Sequence, residues 1–409
     1  MKYLILLGDG MADYPLDLLG GKTPLEYAHT PNMDRMAAEG TLGLIDTIPQ
    51  GLPPGSDVAN LAVLGYNPKD CYTGRGPLEA ANMGIVLSPE DIAFRCNLVT
   101  LSNPELVMSD FTAGHISSAE AARLINDIAK ELGSEVFLFY PGVGYRHLLV
   151  WKGGGADVVT TPPHDITGKE IDRYLPQGPG SEQIHRLIRS SWDLLAEHPV
   201  NRERVARGLK PATSIWPWGQ GKAPQIRKIS ERFRISGAVI SAVDLLNGIG
   251  VYAGLEVIPV EGATGYVDTN YCGKAEKALA TLERLDFVFV HVEAPDEMGH
   301  EGNLEGKIRS IEDFDEKVVG TVLQGIEGME PFRIVVLSDH PTPISVKTHV
   351  RDASPFAVIS SSGTENQGRG FSFGEREAAR SGNFISPGHL LMELFIGNNW
   401  RSFARKNSC

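Results

Sequence analysis

Short apolar runs that stop at Asp, His or Gly alternate along this chain with stretches whose apolar residues recur every three or four positions. The runs 3–7, 238–241, 287–292 and 334–337 read as buried strands. From Leu304 to about Ile326, the residues Ile308, Ile311, Phe314, Val318 and Val322 keep helical spacing, which predicts one helix with a single buried stripe. Strands alternating with amphipathic helices predict an α/β fold, with a mainly parallel sheet flanked by helices.

Residues 114–209 follow a different pattern. SSAEAARLINDIAKELG opens with Ser117 and Glu120 at capping-box spacing and offers Gly133 as a terminator. EVFLFY and YRHLLVWK then flank a Pro-Gly-Val-Gly turn and predict a hairpin. After the Pro- and Gly-rich PQGPGSEQ, the residues Ile184, Leu187, Ile188, Trp192 and Leu195 predict a further helix. We therefore expect a smaller α+β domain at 114–209, inserted into a discontinuous core of 1–113 and 210–409. A length of 409 residues accommodates two such cores.

Composition narrows the function. The formal net charge of −13 disfavours nucleic acid as a partner, because phosphate backbones are bound by clustered Lys and Arg. The opening MKYLILLGDG has an apolar run too short for a membrane span or the core of a signal peptide, so no membrane partner is expected. The four cysteines, Cys71, Cys96, Cys272 and Cys409, are scattered without a CxxC pair, which fits a reducing cytoplasm. A small anionic substrate remains compatible if a metal and a few basic side chains create a local positive field.

Four places supply oxygen or imidazole groups at predicted strand ends, where ligands bind in open α/β sheets. Asp9 stands between Gly8 and Gly10 and is either a turn residue or a ligand. Ser56 follows Pro-Pro-Gly at the start of a helical pattern, so it is either a helix cap or a nucleophile whose anion the helix terminus and a metal would stabilise. Asp296 and His300, four residues apart, face one way on a helical turn. Asp339, His340 and His349 follow the last strand. These seven groups include no thiolate and suit two divalent ions, Mn²⁺ or Zn²⁺ by their imidazole content, or Mg²⁺. Trp216 and Trp218 read as core, and EDFDEK at 312–317 reads as a solvated helix face.

The ordered motifs GDGMAD, TPNMDRMA, GSDVANLAVLGYNP, YTGRGPLEAAN, FRCNLVT, YPGVGYRHLLV, PPHDITGK, APDEMGH and SDH with KTHVRDASP resemble the archaeal-type branch of the 2,3-bisphosphoglycerate-independent phosphoglycerate mutases, within the alkaline phosphatase superfamily. The resemblance implies an alkaline phosphatase-like core and interconversion of 3-phosphoglycerate and 2-phosphoglycerate through a phosphoserine at Ser56, without 2,3-bisphosphoglycerate. It implies one metal held by Asp9, Ser56, Asp339 and His340 and another by Asp296, His300 and His349. It further implies that the inserted domain holds the glycerate, with His115, Arg146, His147, His164 and Asp165 as candidates. Asp165 is then the first candidate for the general acid/base. Arg75 and Lys222 are candidate phosphate-binding residues from the core side. The chain departs from the bacterial-type mutases in having Gly-Ser-Asp at the nucleophile and fewer arginines. A homoserine kinase-like phosphotransferase or a metal-dependent phosphatase is accordingly the alternative.

Overall fold

The computed structural model describes residues 1–102, 104–155, 157–362 and 370–397; Cys409 lies outside them. In chain order the strands are β1 (Lys2–Gly8), β2 (Thr41–Ile45), β3 (Ile92–Ser102), β4 (Val107–Asp110), β5 (Phe137–Tyr140), β6 (Arg146–Trp151), β7 (Ser214–Gly221), β8 (Gly237–Ile240), β9 (Glu256–Val257), β10 (Phe287–Val292), β11 (Phe332–Leu337), β12 (Ser354–Ser360) and β13 (Phe384–Ile385). They divide between two compact units. The first is Met1–Tyr72 with the chain from Ile226 onward, and the second is Thr73–Gln225.

The first unit is built on a sheet ordered β13-β2-β12-β11-β1-β10-β8-β9. β1 runs parallel to β10 and β11, and β10 runs parallel to β8, whereas β12 is antiparallel to both its neighbours. β1, β10 and β11 are buried along almost their whole length, as central parallel strands covered on both faces must be. Their carboxyl ends deliver Asp9, Glu293 and Asp339 to one edge of the sheet. One face packs on the helices through Met33, Met36, Ala275, Ala278, Ile311, Phe314 and Val318. Burying each such side chain contributes roughly 1.5–3 kcal/mol for the larger ones.

The helix expected from Leu304 to Ile326 is present but not uniform. An α-helix, Leu304–Phe314, widens into a π turn at Asp315–Gly320 before resuming at Thr321–Gly325. The widened turn carries Asp315 inward, where it is fully buried. Its Oδ1 accepts the Met33 N–H at 2.7 Å and its Oδ2 the Asn32 N–H at 3.2 Å. Two otherwise unpaired donors of the helix Pro31–Glu39 are thereby satisfied, so Asp315 belongs to the interior and not to a solvated face.

The second unit is antiparallel. β3 is its spine, pairing with β6 and β7 along its sides and with β4 at its end, while β5 and β6 form the expected hairpin. The helices Ser118–Leu132 and Ser181–Ala196 cover one face. Ser117 forms the full capping box with Glu120. This unit extends beyond 114–209 at both ends, because β3 and β7 hydrogen-bond to each other and the helix Arg75–Asn82 packs beside them through Ala80. Arg75 and Lys222 therefore both stand in the second unit and not on the core side.

Candidate functional site

Asp9 leaves β1 with its N–H on Val292 O at 2.9 Å, and the turn that follows depends on glycine. Gly10 has φ of +60°, and a Cβ there would lie 2.6 Å from both Asp296 Oδ1 and Thr342 Oγ1. Only glycine lets the loop after β1 approach these two groups.

Ser56 is the first residue of the helix Ser56–Val63, and the cap position is Gly55, with no side-chain cap. The Ser56 hydroxyl is therefore free of capping. Its Oγ lies 3.2 Å from His340 Nε2 and 3.4 Å from Asp9 Oδ1, and the residue is 7% exposed. One turn later Asn60 donates to Ser56 O at 2.8 Å and to Asp339 Oδ2 at 3.0 Å, tying the helix to the loop after β11.

Two ligand groups result. In one, Asp9, Asp339 and His340 are fully buried, and their ligand atoms all lie within 4.8 Å of one another. In the other, Asp296, His300 and His349 converge to the same limit. His300 Nε2 is 3.2 Å from Asp296 Oδ2 and His349 Nε2 is 3.4 Å from Asp296 Oδ1. The groups adjoin, since the His340 and His349 ring centroids are 4.4 Å apart. Thr342 joins them, donating from Oγ1 to Asp296 Oδ1 and lying 3.3 Å from His340 Nδ1.

The chemistry of this donor set fits divalent metal ions. Burial first, then the Asp339, Glu293 and Asp296 carboxylates, push Asp9 well above the usual carboxylate range, so the site as built lacks positive charge. Burial also lowers His340 below the ordinary imidazole value, favouring the neutral form that ligates metal. Burial would raise Asp296, but hydrogen bonds from His300 and His349 outweigh it and hold its carboxyl well below the usual range.

The surrounding groups had weaker sequence signals. His291 Nε2 lies 2.8 Å from Asp9 Oδ2, and its Nδ1 lies 3.1 Å from Ser241 Oγ, so a fully buried imidazole orients the Asp9 carboxylate. With Glu293 they form a third cluster, in which burial and Asp296 raise Glu293 to about 8. The signal in sequence was His291 within the apolar run of β10 and Glu293 directly after it. Lys307 had none: it interrupts a helix stripe, yet is fully buried with Nζ on Asp13 Oδ2 and Thr342 O, both at 2.8 Å.

In the second unit Arg146 and His115 are exposed, and His115 adopts a left-handed φ of 48°. His164 and Asp165 share the turn Pro163–Ile166, with Nε2 and Oδ1 3.6 Å apart. Aromatic rings bring His164 and Arg146 into one neighbourhood: His164 meets Phe111, Phe111 meets Tyr145, and Arg146 lies over Tyr145. Lys222 is ion-paired to Glu90 at 2.9 Å. His147 points inward. It is 1% exposed, and its Nδ1 accepts the Gly142 N–H at 3.0 Å, so it braces the turn that carries Arg146.

The chain is similar to known proteins along almost its whole length. The family model described as 2,3-bisphosphoglycerate-independent phosphoglycerate mutase matches residues 37–201. A probable 2,3-bisphosphoglycerate-independent phosphoglycerate mutase of Geobacter sulfurreducens is 53% identical, covering 97% of this chain and 100% of its own. Its counterpart from Methanosarcina barkeri is 56% identical over 90% of this chain and 92% of its own. Among solved structures, a Pyrococcus horikoshii protein aligns with a TM-score of 0.80 at 31% identity, covering 97% of this chain and 96% of its own. The cofactor-independent phosphoglycerate mutase of Thermoplasma acidophilum aligns with a TM-score of 0.65 at 28% identity, over 97% and 100%.

Proposed function

Because this chain belongs to the 2,3-bisphosphoglycerate-independent phosphoglycerate mutases, we propose that it interconverts 3-phosphoglycerate and 2-phosphoglycerate through phosphorylated Ser56. The observation that carries the mechanism is the placement of the Ser56 hydroxyl, uncapped at a helix start and within 3.4 Å of both Asp9 and His340. Two divalent ions fit the donors, one among Asp9, Ser56, Asp339 and His340 and the other among Asp296, His300 and His349, with Mn²⁺ or Zn²⁺ suited best and Mg²⁺ admissible. When bound, such ions lower the cost of ionising a hydroxyl and neutralise phosphoryl oxygens.

Ser56 Oγ attacks the phosphorus, and the bond from phosphorus to the substrate oxygen breaks. The positive end of the helix Ser56–Val63 favours the ionised serine. Asp165 supplies a proton to the released glycerate oxygen and removes one from the neighbouring hydroxyl before that hydroxyl takes the phosphoryl group back. Arg146 holds the carboxylate, with His115 and His164 as further glycerate contacts and Arg75 and Lys222 as phosphate contacts. The site must retain glycerate between the two transfers, because water in its place gives net hydrolysis. A cytoplasmic location agrees with a substrate drawn from central metabolism. The relatives give no support to a homoserine kinase.

A mutase assay coupled to enolase tests this reading, with chelation and add-back of each metal. Activity is expected to vanish on chelation and return with metal. Ser56→Ala is expected to abolish both turnover and the acid-stable phosphoenzyme. Normal mutase activity in the metal-loaded variant would refute the nucleophile, and release of free phosphate without 2-phosphoglycerate would refute the mutase.

A further inference from the structure

Side chains of β3 alternate between two environments. Phe94, Cys96 and Leu98 enter the core under the helices Ser118–Leu132 and Ser181–Ala196. On the opposite face, Ala93 belongs to an apolar patch with Leu148 and Val150, and Val99 to another with Trp216 and Trp218. Arg95 and Asn97 stand between these patches. The register places Arg146 opposite Asn97, and Trp218 opposite Arg95.

The guanidinium of Arg95 is held on two sides. Its Nη1 is 3.0 Å from Glu79 Oε1, and its Cζ lies 4.9 Å from the Trp218 ring centroid. Trp218 is itself fixed, donating from Nε1 to Asn97 Oδ1 at 3.0 Å, and its ring meets His164 at 5.3 Å. The Nε of the guanidinium is buried and has no acceptor among the described residues. A comparison within the same unit shows what a structural arginine does instead. Arg204, 2% exposed, spends Nε on Lys210 O, Nη1 on Glu120 and Nη2 on Ala113 O. A buried donor without an acceptor is costly, and the Nε/Nη2 edge is the one that receives a carboxylate through two parallel hydrogen bonds.

We propose that Arg95, clamped by Glu79 and stacked on Trp218, is a substrate-binding residue that grips the carboxylate of the glycerate moiety, with Arg146 beside it on the same sheet face. This rests on the mutase reading and adds to Arg146 a second, buried guanidinium for the carboxylate that distinguishes a phosphoglycerate from a phosphate ester lacking one. Burial lowers the Arg95 pKa while Glu79 supports its charge, and Arg75 and Arg146 oppose it, which agrees with a concentration of positive charge at this place.

The test compares two competitive inhibitors of the metal-loaded full chain: D-glycerate, which has the carboxylate and no phosphate, and glycerol 3-phosphate, which has the reverse. Arg95→Met is expected to weaken D-glycerate roughly 10- to 100-fold and to leave glycerol 3-phosphate within about twofold. Arg95→Lys, which keeps the charge but not the fork, is expected to fall between. If Arg95→Met does not fold, Glu79→Gln combined with Arg95→Met removes both charges and decides the matter. Equal weakening of both inhibitors, or of neither, overturns the proposal. Failure of the mutase reading shows separately, as wild-type protein that forms no phosphoserine.

Discussion

The candidate metal-ligand cluster of the first unit and the Arg-bearing sheet face of the second are built in opposite ways. Asp9, Asp339 and His340 are fully buried, and each is oriented by another group: His291 on Asp9, Asn60 on Asp339, Thr342 on His340. Arg146, His115, His164 and Asp165 are exposed. The difference teaches where order is needed in advance. Charges that stabilise a transferring phosphoryl group act only if fixed beforehand, whereas groups that let a glycerate turn over must release it between two positions. Arg95 stands between these cases, clamped like a metal ligand but with one edge left for the substrate.

The comparison breaks most readily at Asp296, on which both His300 and His349 converge. Asp296→Asn is expected to lower mutase activity by roughly 10³-fold and to reduce bound metal from two ions per chain to one. Two ions retained with near-normal turnover would remove Asp296 from the ligand set. A smaller effect is expected at Thr342, whose hydroxyl serves both groups. Thr342→Val should weaken metal binding by about 10- to 100-fold in a Mn²⁺ titration, and Thr342→Ser should restore it. If Ser fails to rescue, the methyl group and not the hydroxyl is what matters.

The smallest effect sharpens the contrast from the side of the second unit. Burial holds His147 neutral, with its pKa lowered from 6.5 to about 3. The folded value lies below the unfolded one, so between these limits the unfolded chain binds a proton that the folded chain does not. The stability His147 contributes is present above pH 6.5 and is lost as pH falls through that window, at no more than about 1.4 kcal/mol per pH unit. His147→Asn, which can still accept the Gly142 N–H, is expected to flatten the acid dependence of denaturant unfolding between pH 6 and 4 by about 1 kcal/mol per unit. An unchanged slope would show that His147 titrates normally.

Much of the candidate site was legible because strand ends announce themselves. An apolar run closed by Asp, as at Asp9 and Asp339, fixes both the element and the exit point of its ligand. Asp296 and His300 were legible from helical spacing directly after a buried strand, since four residues return to one face. The residues that escaped are those whose sequence neighbourhood describes something else. Lys307 sits in a charged surface-like stretch, and only the approach of the loops after β1 and β11 gives its ammonium three acceptors. His147, a polar residue in an apolar strand, reads as a glycerate contact in sequence, whereas its burial and its bond from the Gly142 N–H make it a brace for the turn.

By itself the sequence determined the alternation of strands and helices, the seven candidate ligands and the uncommon order of motifs that identifies the family, because periodicity and strand-end chemistry are local properties. Only the tertiary structure decided which sheet each strand joins. FRCNLVT reads equally well in a parallel core or as the spine of an antiparallel unit, since apolar character specifies burial and not the partner. That choice moved the boundary of the second unit from 114 to Thr73, carried Arg75 and Lys222 with it, and left Arg95 on a sheet face between two apolar patches. Pairing is settled by contacts between residues far apart in the chain, and no local pattern contains them.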